Sequence, residues 1–257
     1  MVKDIQRQFG EKKQFIMYPD NYLDKEYFIL MVPGFGQIAS GSYYLYSTIY
    51  KEVKYEKNFF PVLFDYSNYG DSEIHDGEVS TADIEENILD VKRVLDFFLE
   101  KKDFKEILIV LTGISILYYK ILKDYAPNIY FILIPPFPIP LSEKFLSSLE
   151  SKRYLVTNIN SEFGLEQRNY FEHLGASFSY WCGMKLKIDS LFKINNLILD
   201  FDYQELIDQS VLSFSYVNQS YFNCFKFKRT NEGEIISYDD RLFIIDQIKN
   251  ILQGEGD

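Results

Sequence analysis

The stretch from Ile107 to Tyr119, ILIVLTGISILYY, limits the fold more than any other part of the chain. Its first five residues are all apolar, and a short unbroken run of that kind is what a strand buried on both faces of a parallel sheet requires. The run passes directly into Thr112-Gly113-Ile114-Ser115 and then into residues of helical character. Strand, sharp turn and helix in that order would raise the Ser115 hydroxyl above the sheet edge, beside the amides at the helix start. The chain is therefore expected to be an α/β protein arranged around this unit.

The rest of the sequence fits that expectation. Phe15–Tyr18 and Tyr27–Val32 read as strands separated by the turn-rich Pro19-Asp20-Asn21, which suggests an antiparallel N-terminal start. Ser42–Tyr55 reads as a helix and Pro61–Asp65 as a buried strand. Ser80–Lys101 is amphipathic, with Ser80 and Asp83 spaced as a capping box and Ile84, Ile88, Val91, Leu95 and Phe98 on one face. Ile129–Ile134 is a further strand, closed by a proline-rich run from Pro135 to Pro140 that can neither coil nor pair. Val211–Tyr216 and Phe222–Phe227 are the last two strands, and Tyr238–Leu252 is a final helix with Leu242, Ile245, Ile248 and Leu252 toward the core. Alternating strands and helices predict a parallel sheet with ligands at its C-terminal edge.

Composition narrows the function classes. With 257 residues, 47% of them hydrophobic, the chain can bury one sizeable core, and one domain with an insertion is expected. A net charge of −11 argues against nucleic-acid and anionic-membrane partners. No apolar leader and no apolar run of membrane length occurs, so a cytoplasmic protein is expected. Cys182 and Cys224 supply neither a disulfide framework nor a zinc spacing, and Gly34-Phe35-Gly36 lacks the third glycine of a dinucleotide fingerprint. Asp200 and Asp202 read as loop carboxylates rather than cation ligands, so no metal and no cofactor is expected. The 21 tyrosines and 23 phenylalanines suit either a bulky apolar pocket or a self-association face, as in a homodimer.

Three signals share one order: Gly34-Phe35-Gly36, then roughly thirty residues later Asp65-Tyr66-x-x-x-Gly70-Asp71-Ser72, then roughly forty residues later Gly113-x-Ser115. Together they resemble the α/β-hydrolases, in particular the serine aminopeptidase-like branch that includes small hydrolases associated with exosortase systems. Gly113 and Ser115 stand where that family's G-x-S-x-G pattern has its first glycine and its nucleophile, while Leu117 replaces the second glycine. Pro33 stands in place of the histidine of the family's His-Gly loop, and Ser67-Asn68 in place of the usual Arg-Gly. The resemblance implies an α/β-hydrolase fold, a mostly parallel central sheet flanked by helices. Residues 1–140 and 200–257 would form the core and residues 141–199 an inserted helical cap. It further implies Ser115 as nucleophile, the Phe35 and Ile116 amides as an oxyanion hole, and a pocket near Gly34, Gln37, Tyr69 and Trp181.

A serine hydroxyl becomes a nucleophile only when a base takes its proton and an acid orients that base. The resemblance puts the histidine after the last strand, where Arg229–Ile235 contains none, and the acid after the penultimate strand, where Val217-Asn218-Gln219-Ser220 has no carboxylate. The chain has two histidines, His75 in an acidic loop and His173 in the expected cap, and these are the candidate bases. Glu232 and Asp239 lie near the family histidine's place but are poor bases at an ordinary carboxylate pKa. The reading placed first is an α/β-hydrolase fold with an incomplete triad that binds a small acyl-type ligand or a partner. The alternative is an active serine hydrolase of ester, thioester or amide bonds using Ser115 and an atypical base.

Overall fold

The computed structural model describes residues 2–35, 38–41, 44–72, 81–134, 140, 147, 154–156, 185–202, 205–206, 210–216, 224–227 and 238–253. The chain opens with an antiparallel hairpin, β1 (Asp4–Phe9) and β2 (Gln14–Pro19). It continues through β3 (Tyr27–Val32), α1 (Leu45–Val53), β4 (Phe59–Phe64), β5 (Thr81–Ala82) and α2 (Ile84–Leu99). Next come β6 (Glu106–Thr112), a 3-10 helix (Gly113–Tyr118) running into the single turn α3 (Tyr119–Leu122), and β7 (Ile129–Ile134). The described remainder is β8 (Tyr154–Val156), β9 (Lys185–Lys187), α4 (Ile188–Leu199), β10 (Ser210–Tyr216), β11 (Cys224–Phe227) and α5 (Tyr238–Gln253).

The central sheet has eight strands in the order β1-β2-β4-β3-β6-β7-β10-β11. The six from β4 to β11 pair in parallel, and the hairpin joins them through antiparallel pairing of β2 with β4. The N-terminal antiparallel start thus differs from the sequence expectation in its partners. β2 pairs with β1 and β4, whereas β3 lies parallel between β4 and β6. β1 escapes a sequence reading because Asp-Ile-Gln-Arg-Gln-Phe is polar and mostly exposed at the sheet edge, with no apolar alternation to betray it.

Both faces of the parallel strands are covered, as their continuous apolar sequences require. Phe28, Leu30 and Val32 of β3 face the core shared with α2 and α4, where Val91, Leu95, Phe98, Leu191, Ile194 and Ile198 are buried. Ile29 and Met31 face the opposite core, shared with α1 and α5 through Leu45, Tyr46, Ile49, Ile244 and Ile248. Each fully buried side chain of this size contributes about 1.5–3 kcal/mol.

Two local expectations are corrected. The N-cap of α2 is Asp83, whose carboxylate accepts a 3.1 Å bond from the Glu85 N–H; Ser80 lies outside the described residues. On α5 the buried stripe is Ile244, Ile245 and Ile248, while Leu242 is 47% exposed. Within residues 141–199, the described elements are β8 and β9, which form a small sheet with β5, and α4, which packs against α2 and the 3-10 helix.

Candidate active site at the sheet edge

Sheet order fixes where a ligand would lie. From β3 the chain crosses to β4 on one side, and from β4 it returns to β6 on the other, so the strand order reverses between β3 and β6, the place where open α/β sheets carry their ligands. Val32 pairs with Leu111, which brings Pro33-Gly34-Phe35 alongside Thr112-Gly113-Ile114. The residues singled out at Gly34, Phe35, Ser115 and Ile116 are therefore brought to one edge of the sheet.

The turn after β6 has its crest at Gly113. Thr112 is still extended, and Gly113 takes a φ of +56°, a left-handed conformation that glycine adopts at no steric cost. Ser115 was expected at the tip of this turn, but it lies two residues further on, inside the 3-10 helix, and is completely buried. Its hydroxyl accepts the Thr112 N–H at 2.9 Å and donates to the Thr112 carbonyl at 2.8 Å, with the Val32 carbonyl at 3.3 Å. Thr112 and Ser115 make a capping box, which answers a backbone donor at a helix start that would otherwise lack a partner. Ile116 is the fourth residue of the same helix, where an N–H belongs to the carbonyl three residues earlier. The amide that follows the crest directly is that of Ile114.

The flanking loops are tied down from below. Phe35 is buried at the end of β3, and the Pro33 carbonyl accepts a 2.5 Å hydrogen bond from Tyr66 Oη. Tyr46 Oη donates to the Val32 carbonyl at 2.9 Å, holding β3 from the opposite face. After β4, the buried Asp65 carboxylate accepts the Ala39 N–H at 2.5 Å and the Asp71 N–H at 2.8 Å, which joins the β3 loop to the β4 loop. Burial pushes the Asp65 carboxyl up to about 6, against the pull of those two amides. Gly70, at φ +50°, closes over this group so tightly that a Cβ would stand 2.3 Å from Asp65 Oδ2.

A second buried acid was not singled out from the sequence. Asp90 of α2 is fully buried and accepts the Ser67 N–H at 2.6 Å and the Ser67 hydroxyl at 2.9 Å, with Arg93 as its ion-pair partner. Burial raises its pKa, and the Ser67 and Arg93 contacts oppose that rise. Its helical spacing disguises it, because it falls on the face of α2 between Asn87 and Val94, where an apolar residue would be expected. Tyr69 is likewise buried in the β4 loop. His75, His173, Gln37 and Trp181 lie outside the described residues.

Among the described residues no three His, Cys, Asp or Glu side chains converge as a metal site would need, and no helix is long and apolar enough to cross a membrane. A cleft of about 480 Å³ between α1 and α5 is lined by Thr48, Glu52, Leu242, Phe243 and Lys249 and includes none of the crest residues.

No protein-family model and no curated protein sequence matches this chain. Solved structures do. A thermostable carboxyl esterase from Bacillus coagulans, in complex with glycerol, superposes with a TM-score of 0.60 at 12% identity, covering 99% of this chain and 98% of that one. A thermophilic esterase from Thermogutta terrifontis gives 0.55 at 12% identity over 98% of both chains. A serine hydrolase from Cycloclasticus zankles gives 0.55 at 14% identity over 100% of both. At such identities the likeness is one of fold, and the fold is that of the α/β-hydrolases: six parallel strands with helices on both faces, preceded by an antiparallel hairpin.

Proposed function

We propose that this chain is an α/β-hydrolase-fold protein with an incomplete triad, which uses the crevice between β3 and β6 to bind a small acyl-type ligand with weak or no hydrolysis. The observation that carries this reading is the state of Ser115. Its hydroxyl is sealed from solvent and engaged with the backbone of Thr112 on both its donor and its acceptor side. A nucleophile needs the opposite arrangement, exposure on a strained turn beside a base.

The backbone turn supports a shifted register. If Gly113 occupies the crest on which the family carries its nucleophile, the small residue that the fold wants two positions later is Ser115. Leu117 then no longer stands at the place of the family pattern's second glycine. Glycine at the crest leaves no side chain to attack a carbonyl. β10 and β11 occupy the far end of the sheet in the family's order, and the loops that follow them in sequence carry no histidine and no carboxylate where the acid is expected. Losing a general base alone forfeits about 10²–10⁴-fold in rate. The apolar surroundings of the crest, Phe35 and Ile114, suit an acyl chain better than a charged ligand.

Labelling with a fluorophosphonate probe tests the reading. Wild type and Ser115→Ala are expected to stay equally unlabelled, while a panel of short acyl esters raises the melting temperature without being consumed. Labelling that disappears in Ser115→Ala would restore the active serine hydrolase.

A further inference from the structure

We propose that the hollow between the β1–β2 turn and one face of α2 is a binding site for a small primary alkylammonium. It measures about 350 Å³, within the range of about 300–1,000 Å³ usual for small-molecule sites. None of the crest residues lines it, so its occupancy is independent of any chemistry at the crest. Phe9, Glu11 and Gln14 come from the hairpin, while Arg93, Asp96, Phe97 and Glu100 recur at three and four along α2 and its C-cap and so share one face. Gly10 turns the hairpin at a φ of +67° with nothing within 4 Å of where a Cβ would stand, which leaves this side of the hollow open.

Gln14 points to a ligand. It is only 1% exposed and lines the hollow, yet its amide oxygen meets no hydrogen-bond partner among the described residues. Its amide nitrogen donates to the Asp90 carbonyl at 3.5 Å, which fixes the two ends of the group, since an oxygen in that place would face another oxygen. A buried acceptor without a donor costs free energy, and a guest that brings an N–H relieves that cost.

Charge and shape narrow the guest. Exposed carboxylates of Glu11, Asp96 and Glu100 line the hollow, whereas Arg93 is engaged by Glu86 and Asp90 and Lys12 stands on the exposed turn. Arg7 and Lys101 lie over the Phe97 ring, 4.6 and 3.5 Å from its centre, so this wall already accepts cationic groups. Phe9 meets Phe97 at 4.8 Å and completes an apolar wall. An anion would face both the Gln14 oxygen and the carboxylates. A primary ammonium instead donates to that oxygen, sits among the carboxylates and lays its alkyl arm along Phe9. Water answers the oxygen but leaves the ring wall wet.

Titration of the isotope-labelled chain with n-butylammonium chloride, read by amide shifts in two-dimensional NMR, is the test. Saturable shifts at residues 9–14 and 93–100 are expected, with a Kd of about 1–10 mM. Butan-1-ol, a donor without the charge, should bind more weakly, and tetramethylammonium, which has the charge but no N–H, should leave these amides unmoved. Gln14→Met removes the acceptor at similar length and should weaken n-butylammonium binding about tenfold. Should that variant fail to fold, Glu100→Gln on the exposed end of α2 should still weaken it about twofold at low salt. Equal shifts with tetramethylammonium, shifts only elsewhere on the chain, or no saturation would each overturn the proposal, as would an unaltered affinity in the variants.

Discussion

Where β3, β4 and β6 begin, Phe28, Phe60, Phe98 and Phe104 pack ring against ring, with Phe60 centred 5.0 Å from Phe98 and 5.8 Å from Phe104. Where the same strands finish, the buried rings are those of Tyr46, Tyr66, Tyr69 and Tyr118, set among Ser67, Asp65, Asp90 and Ser115. The two ends bury similar ring area, so the hydrophobic contribution is similar. They differ in what must be satisfied. The first end is mostly apolar, with the Tyr18 and Tyr22 rings against the stack and the Lys25 ammonium donating to the Glu56 and Lys57 carbonyls as its polar groups, and within the stack itself a well-packed apolar set would serve. The second end holds hydroxyls and carboxylates that cost free energy unless each meets a partner. Such an arrangement specifies the shape of the loops more narrowly, and those are the loops that follow β3, β4 and β6 at the C-terminal edge of the sheet.

The sharpest way to break this contrast is to cut into the phenylalanine end. Phe60→Ala is expected to destabilise by about 3–5 kcal/mol, since it removes a fully buried ring from contact with five others. Its cost should be the same at about pH 4 and about pH 7, because the ring's contacts are with other aromatic rings and none of them is a carboxylate or a histidine. Chemical denaturation at both values measures it, and a pH-dependent loss would show that the two ends are not separate.

The tyrosine end should respond to pH through Asp65. Its folded value of about 6 lies above the 3.8 of an unperturbed carboxyl, so the native state binds the proton more tightly than the unfolded chain. The stability contributed by this group is complete below about pH 4 and is lost as pH rises through 6, a difference of about 3 kcal/mol. Asp65→Asn should flatten that part of the profile. A wild-type curve that instead climbs across this window would mean that the two amides outweigh burial.

How much of this was legible in the sequence follows the same division. β3 and β7 fall where the apolar runs set them, because buried parallel strands announce themselves by composition. The edge strand β1 does not, since half of its pairing groups face solvent and any polar sequence can fill it. At the crest, Gly-x-Ser carried two readings. A turn demanding φ above zero selects Gly113 over Ser115, and Thr112-x-x-Ser115 is itself a capping pattern. Both clues stood in the sequence, but the family pattern pointed to the serine. The partners of Asp65 and Asp90 come from other elements, and no local spacing announces them.

Ser115→Ala separates a sealed hydroxyl from a reactive one. Deletion leaves the Thr112 N–H without its partner and is expected to cost about 1–2 kcal/mol in a denaturation experiment. A catalytic serine held in strain would behave in the opposite sense, with stability rising when it is removed.

The smallest expected effect is a coupling. Tyr46 Oη donates to the Val32 carbonyl at 2.9 Å, and the Ser115 hydroxyl, bonded to Thr112, stands 3.3 Å from the same oxygen. Tyr46→Phe alone should cost about 1 kcal/mol or less, because the serine proton can turn toward the vacated carbonyl. Ser115→Ala alone leaves the Tyr46 bond untouched. With both removed, the Val32 carbonyl at the end of β3 is buried without either donor, so the double variant should lose more than the sum of the singles, by about 0.5–1 kcal/mol. Strict additivity in this cycle would mean that Ser115 serves only its own turn. A positive coupling would mean that one carbonyl is guarded from both faces of the sheet, by a tyrosine of α1 and by a serine whose hydroxyl has become part of the backbone's own hydrogen bonding.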